Sequence, residues 1–166
     1  MIRELRVGDA AAVVVLRRAA LVDSPLAFGA SVETDFMRTE AGAVEYLAGA
    51  PEKLLIGAFD GLGALVGMAG MLRGRHVKGR HRLGVWGMYV APTARGHGLG
   101  AGLLDGLVAA ALEMGAAYID LSVSSAAPAA RRLYERAGFV VWGTQRDAMR
   151  VDGTSTDELH MTLALG

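Results

Sequence analysis

At 166 residues, with 52% hydrophobic and 20% charged residues, the chain has the length of one globular domain and ample material for a core. Lys plus Arg and Asp plus Glu both number 17, so there is no basic excess of the kind that non-specific nucleic-acid binding needs, and function has to come from a local site. Cysteine is absent, which excludes disulfides, thiolate metal sites and cysteine nucleophiles and fits a reducing compartment.

The N-terminal run Met1-Ile2-Arg3-Glu4-Leu5-Arg6 carries charges where a secretory signal needs an apolar core, so a cytoplasmic protein is expected. Ile2 to Arg6 reads as a first short strand. Asp9 reads as the N-cap of a helix over Ala10 to Leu21, which Asp23-Ser24-Pro25 interrupts. A second helix covers about Thr39 to Ala48. Leu54 to Leu72 is nearly as apolar and as long as a membrane span, but Asp60 and Gly57, Gly61, Gly63, Gly67 and Gly70 break it. A hairpin explains it better: strands Leu54–Phe59 and Ala64–Ala69 joined across Asp60-Gly61-Leu62-Gly63. Arg73 to Arg80 forms a basic loop, and Leu83 to Ala91 is a strand ended by Pro92.

Arg95-Gly96-His97-Gly98-Leu99-Gly100 then stands between that strand and an Ala/Leu-rich helix over Leu99 to Met114, whose Leu103, Leu107 and Ala111 share one face. Such a junction aims bare backbone N–H groups and a helix N-terminus at one spot, which suits a phosphate diester or pyrophosphate. Glycines let the backbone approach an anion closely, and Arg95 adds a permanent cation. The loop is neither a Walker A sequence nor a dinucleotide fingerprint, and by itself it also fits a plain strand-to-helix turn. Tyr118 to Val123 alternates Ile119, Leu121 and Val123 against Asp120 and Ser122, as a strand does. Ala129 to Ala137 is a helix stopped by Gly138. Two last strands, about Phe139 to Arg150 and Thr156 to Leu165, meet across Asp152-Gly153.

This order predicts a mixed α/β sheet with helices on both faces. The right-handed crossover through the glycine loop and its helix makes Leu83–Ala91 and Tyr118–Val123 parallel neighbours, with a ligand expected at their carboxyl ends.

Three segments carry a family resemblance. Met88-Tyr89-Val90-Ala91-Pro92 with Arg95-Gly96-His97-Gly98-Leu99-Gly100 resembles the acetyl-CoA signature of the GCN5-related N-acetyltransferases (GNAT). Ala130 to Phe139, with Leu133-Tyr134-Glu135 before Gly138-Phe139, resembles that family's second signature, and Asp157 to Leu163 its last strand. The resemblance runs over nearly the full length, most specifically from Leu83 to Phe139. It implies a mostly antiparallel, twisted sheet of about seven strands, with helices on both faces and a splayed parallel pair at the CoA site.

It further implies acetyl-CoA as cosubstrate, no metal, and direct transfer to an amine. The backbone of Arg95, Gly96, His97, Gly98, Leu99 and Gly100 would hold the CoA pyrophosphate, and that of Met88, Tyr89 and Val90 would pair with the pantetheine arm and offer an N–H to the thioester oxygen. Ala127 and Ala130 would lie along the cofactor, Ala127 standing where many members have Asn. Ser124 or Ser125 could supply a substitute hydroxyl there. Tyr134 matches the tyrosine that protonates the departing thiolate, a role that suits a phenol; otherwise it packs a helix on the sheet.

The amine must lose a proton, and Glu33 is the first candidate base. Asp35, Tyr89, Asp120, Glu158 and His160 are the others. The bland readings are that Glu33 and Asp35 are solvated or capping, that Asp120 pairs with an arginine, and that His160 is a surface residue. The basic segment Arg73, Arg75, His76, Lys78, Arg80, His81, Arg82 is either a solvated loop or an attractor for an acidic acceptor or the CoA 3′-phosphate. His97 has no partner at ligand spacing, so no metal is expected.

The partner is then a small-molecule or peptide amine, with no nucleic acid and no membrane, and a homodimer through the last strands fits the family. The alternatives are a catalytically silent acyl-CoA-binding or sensing module and a nucleotide-phosphate-binding domain. The acceptor is not legible, because the pocket that selects it is built from the first helices and the final hairpin.

Overall fold

A computed structural model describes residues 1–166. Strand β1 (Ile2–Glu4) leads into helices α1 (Ala10–Asp23) and α2 (Glu40–Leu47), followed by strands β2 (Lys53–Phe59), β3 (Leu65–Arg73) and β4 (Arg82–Val90). Helix α3 (Leu99–Glu113), strand β5 (Tyr118–Ser124), helix α4 (Pro128–Arg136) and strands β6 (Val140–Val151) and β7 (Thr154–Ala164) complete the chain. All seven strands join one sheet in the order β1-β2-β3-β4-β5-β7-β6. Every neighbouring pair is antiparallel except β4 and β5, the parallel pair expected from the crossover through α3.

The Leu54–Leu72 segment is the β2–β3 hairpin, and no helix is long and apolar enough to cross a membrane. Asp60 builds its turn by accepting from the amides of Leu62 and Ala64, both at 2.9 Å. At the β6–β7 turn Asp152 and Gly153 both take positive φ, 48° and 79°, the primed turn that an Asp-Gly pair permits.

Two apolar layers sandwich the sheet. On one face α1 and α2 pack Val13, Ala43 and Leu47 against Leu5, Leu55 and Phe59. On the other, Leu103, Leu104, Leu107 and Ala111 of α3, with Tyr134 of α4, pack against Ile56, Ala69, Met71, Leu83, Val85, Ile119, Leu121 and Val123. The alternation along β5 therefore turns Ile119, Leu121 and Val123 toward α3 and α4 and leaves Asp120 and Ser122 on the other face. Gly70 is required by packing, because a Cβ there would stand 2.3 Å from the Trp86 ring.

Two local expectations are corrected. Asp9 does not cap α1 through its side chain; both its oxygens pair with Arg3 at 2.8 Å, and it accepts from the Arg6 amide at 2.8 Å across a 3-10 turn at Val7–Asp9. β1 ends at Glu4 because the chain turns there into that 3-10 segment.

The Arg3 guanidinium holds the Asp9 carboxyl down at about 2. A carboxyl lowered in the folded state contributes stability that is complete above its unfolded value, about 4, and is lost as the pH falls through the folded one. Urea midpoints of the wild type should therefore fall more steeply below about pH 4 than those of Asp9→Asn, which has no carboxylate to protonate there. Parallel curves would show that the Arg3 pair contributes nothing to folding.

Candidate active site

β4 and β5 are hydrogen-bonded only at their amino ends, where Arg82, Leu83 and Gly84 face Tyr118, Ile119 and Asp120. Beyond Gly84 they splay apart. On its other side β4 stays paired with β3 as far as Val90, but with a bulge: Trp86 is opposite Gly70 and Tyr89 opposite Met68, so Gly87 and Met88 share one partner, Ala69. Gly87 takes φ 65°, a left-handed conformation that costs a side chain strain, and the Arg17 guanidinium stands 3.4 Å from where its Cβ would be. The bulge and the splay leave the β5-facing edge of β4 open around Met88 and Val90.

At the carboxyl end of β4 the glycine loop behaves as its composition suggests. Gly96 and Gly98 take φ 82° and 76°, and Gly98 precedes the first turn of α3. Gly102 is the first residue whose amide bonds back to the loop, at 3.0 Å to Gly98 O, so the amides from Gly96 to Ala101 have no acceptor within the protein. A helix dipole and six bare N–H groups converge there. Arg95 is already engaged: its Nε donates to Val90 O at 2.9 Å and its Nη2 pairs with Asp23 at 2.6 Å, tying the loop to the end of α1. That pair holds the Asp23 carboxyl below its ordinary range.

The open strand edge and the loop form two walls of a cleft of about 630 Å³. Met88, Tyr89, Val90, Arg95, Gly96, Gly98, Leu99, Gly100, Ala127 and Ala130, all expected at the cofactor, line it; His97 is exposed and joins the loop only through its bare amide. Sequence reading missed the third wall, Asp23 to Phe28 after α1. Ser124 and Ser125, the hydroxyls expected beside Ala127, each accept one bond from a nearby amide. Ser124 Oγ accepts from the Ala126 amide at 3.2 Å and Ser125 Oγ from the Asp157 amide at 3.1 Å.

A smaller cavity of about 70 Å³ continues the opening through the sheet, lined by Phe28, Trp86, Gly87, Met88, Ser122 and Tyr134 among others. Tyr134 is 5% exposed and its ring packs on Phe139 at 5.8 Å. Burial alone acts on its phenol and pushes it well above the ordinary range, so the hydroxyl stays protonated at neutral pH.

The candidate bases separate clearly. Glu33 is exposed, lines neither the cleft nor the cavity, and is held below the ordinary carboxylate range by the Ser31 hydroxyl. Asp35 is neither solvated nor a cap: at 1% exposure it accepts from Arg17 Nε and Nη2 at 2.9 and 2.7 Å and from the Met37 amide at 2.9 Å. Asp120 does pair with an arginine. Burial pushes its carboxyl up, but Arg82, at 2.6 and 2.7 Å, outweighs this and holds it below the ordinary range. Tyr89 is buried against Leu16, Ala20 and Met68, which pushes its phenol up. Glu158 and His160 stand on β7 opposite Ser124 and Ser122.

The basic segment fits the solvated-loop reading, with Arg75, His76 and Lys78 exposed. Arg73 and Arg80 share Glu52, and Arg82 is held by Asp120. It also lies at the amino end of β4, about 30 Å from the glycine loop along a nine-residue strand, so it does not reach an anion bound there. No group of His, Cys, Asp and Glu could hold a metal ion.

Such an architecture joins a splayed parallel pair, whose open edge forms a groove, to a glycine loop with bare amides at a helix N-terminus. The sequence model of the acetyltransferase (GNAT) family matches residues 21–139, and the chain belongs to that family. Solved structures share the fold throughout. A GNAT-family acetyltransferase from Streptococcus pneumoniae superposes with TM-score 0.88 at 23% identity, covering 100% of this chain and 99% of that one. YncA from Salmonella typhimurium, a proposed acetyltransferase solved with acetyl-CoA, gives 0.86 at 22% identity, covering 100% and 94%. A phosphinothricin acetyltransferase from Sinorhizobium meliloti in complex with acetyl-CoA gives 0.84 at 23%, covering 100% and 88%.

Proposed function

We propose that the protein is an acetyl-CoA-dependent N-acetyltransferase that passes the acetyl group directly to a primary amine, with no acyl-enzyme intermediate. What carries this reading is a pair of adjoining cavities sharing Phe28, Met88, Ala127 and Ala130, the larger bounded by the glycine loop and the open edge of β4, the smaller by Tyr134. These residues fit the cosubstrate in order. The loop amides suit a pyrophosphate, and the backbone of Met88 and Val90 suits the amide-bearing pantetheine arm.

When bound, acetyl-CoA supplies an activated carbonyl carbon and a thiolate leaving group. The chain then has two tasks. A backbone N–H at the Met88 bulge donates to the carbonyl oxygen as negative charge grows on it, the contact that most lowers such a barrier. Tyr134 gives its proton to the departing sulfur. Structures of similar fold hold acetyl-CoA, which supports the choice of cosubstrate.

Calorimetric titration with acetyl-CoA, CoA and ATP, combined with thiol release over a panel of amines, tests the assignment. Saturable binding of acetyl-CoA in preference to ATP is expected, with turnover on at least one amine. Substituting Gly98→Val, which places a β-branched residue at φ 76°, should weaken acetyl-CoA binding at least tenfold. Binding without any turnover would favour a sensing module, and equal binding of ATP would favour a general nucleotide-phosphate site.

A further inference from the structure

Glu33, Asp35, Asp120 and Tyr89 are each exposed away from the cavity, locked in an ion pair or kept protonated. Of the six expected bases, Glu158 and His160 on β7 remain. The splay itself contains another group. Two residues past the last β4–β5 pair, Trp86 and Ser122 stand on opposite sides of the opening, and both line the 70 Å³ cavity that also holds Tyr134. Ser122 Oγ is 2.8 Å from His160 Nδ1, its direct cross-strand partner on β7. His160 does not line the cavity; it lies behind Ser122, half-buried. Trp142 on β6, 67% exposed, stacks on its imidazole at 5.3 Å and 29°. The stack sets the plane of the ring that faces Ser122.

Resting on the acetyltransferase reading above, we propose that Ser122 and His160 form the proton exit for the amine. Ser122 Oγ meets the nucleophile on the face of the sheet opposite Tyr134, and His160 takes the proton. As the amine nitrogen bonds to the thioester carbon, its proton passes to Ser122 Oγ while the Ser122 hydroxyl proton passes to His160 Nδ1. The C–S bond then breaks, and the thiolate is protonated by Tyr134. Solvent restores Tyr134 and removes the proton from His160. This requires neutral His160 to carry its hydrogen on Nε2, leaving Nδ1 as the acceptor. Other groups on this face are Glu158 and Thr162 beside His160 on β7, Asp120 and Ser124 beside Ser122 on β5, and Arg82, which pairs with Asp120. The cations on this face are Arg82, which Asp120 neutralises, and Arg17 behind the Trp86 and Phe28 rings, which Asp35 neutralises.

The test combines two readouts. Nitrogen-15 NMR of the imidazoles reads the tautomer without turnover: His160 should carry its proton on Nε2, and its Nδ1 resonance should shift in Ser122→Ala. Thiol release with the best amine of the panel should lose about 10²-fold or more in kcat in Ser122→Ala and His160→Gln, with KM for acetyl-CoA unchanged. The acid limb of the wild-type pH–rate profile should vanish in His160→Gln. Ser122→Thr, which keeps the hydroxyl, should restore most of the rate. A proton on Nδ1, or an unchanged acid limb in His160→Gln, overturns the relay while leaving the acetyltransferase reading intact. Absence of acetyl-CoA binding in the wild type overturns that reading itself.

Discussion

Tyr134→Phe should lower kcat by about 10²–10⁴-fold, the range that a positioned general acid supplies, with the acetyl-CoA dissociation constant essentially unchanged. The substitution removes one hydroxyl and keeps the ring that packs on Phe139, so the α4 contact with the sheet survives. Burial makes the phenol a weak acid in the resting protein, which keeps its proton in place across the neutral range until a thiolate forms beside it. Steady-state kinetics with calorimetry on the same preparation separates the possibilities. Full turnover in the variant would reduce Tyr134 to a packing residue. A large loss of binding would assign it to holding the cosubstrate instead. An acyl-CoA sensor would be indifferent to the change.

Asp35→Ala should destabilise the fold by about 3–5 kcal/mol, the usual consequence of leaving one partner of a buried ion pair unmatched. Arg17 is only 5% exposed, and its Nη1 already lacks any partner, so losing Asp35 strands the whole guanidinium in an apolar layer. Total stabilities of about 5–15 kcal/mol make this a large fraction. The double variant Arg17→Met with Asp35→Leu should recover much of it, since paired removal leaves no buried charge. Urea unfolding of the three proteins decides the matter, and an Asp35→Ala protein as stable as wild type would show that the pair is dispensable. The effect should reach the site as well. The Arg17 guanidinium lies 5.2 Å from the Phe28 ring centre and 5.5 Å from that of Trp86, two of the aromatic residues that line the smaller cavity.

The parts that could be read from sequence are those whose meaning is local in the chain. The run from β4 through the glycine loop into α3 was legible because strand, loop and helix are contiguous and their chemistry lies in the backbone. Tyr134 was legible because its neighbours Leu133, Glu135, Gly138 and Phe139 travel with it. Asp35 was misread because an isolated Asp in a polar stretch looks solvated, and its partner lies eighteen residues away on α1. Phe28, Trp86 and Ser122 could not be grouped, since they come from three distant elements that meet only where β4 and β5 part. The insertion of β7 between β5 and β6, which sets His160 against Ser122, likewise depends on long-range pairing that no local pattern records.

The short β4–β5 ladder has a steric meaning. It closes at Gly84 and Asp120, and Arg82 rivets it by gripping Asp120 and reaching Thr162 on the next strand at 3.0 Å. A ligand threading between the two strands meets this closed crotch as a backstop. On the acetyltransferase reading proposed above, the vertex of the fork sets a limit on acyl length, because each methylene pushed toward it has to compete with the hydrogen bonds that keep the strands zipped.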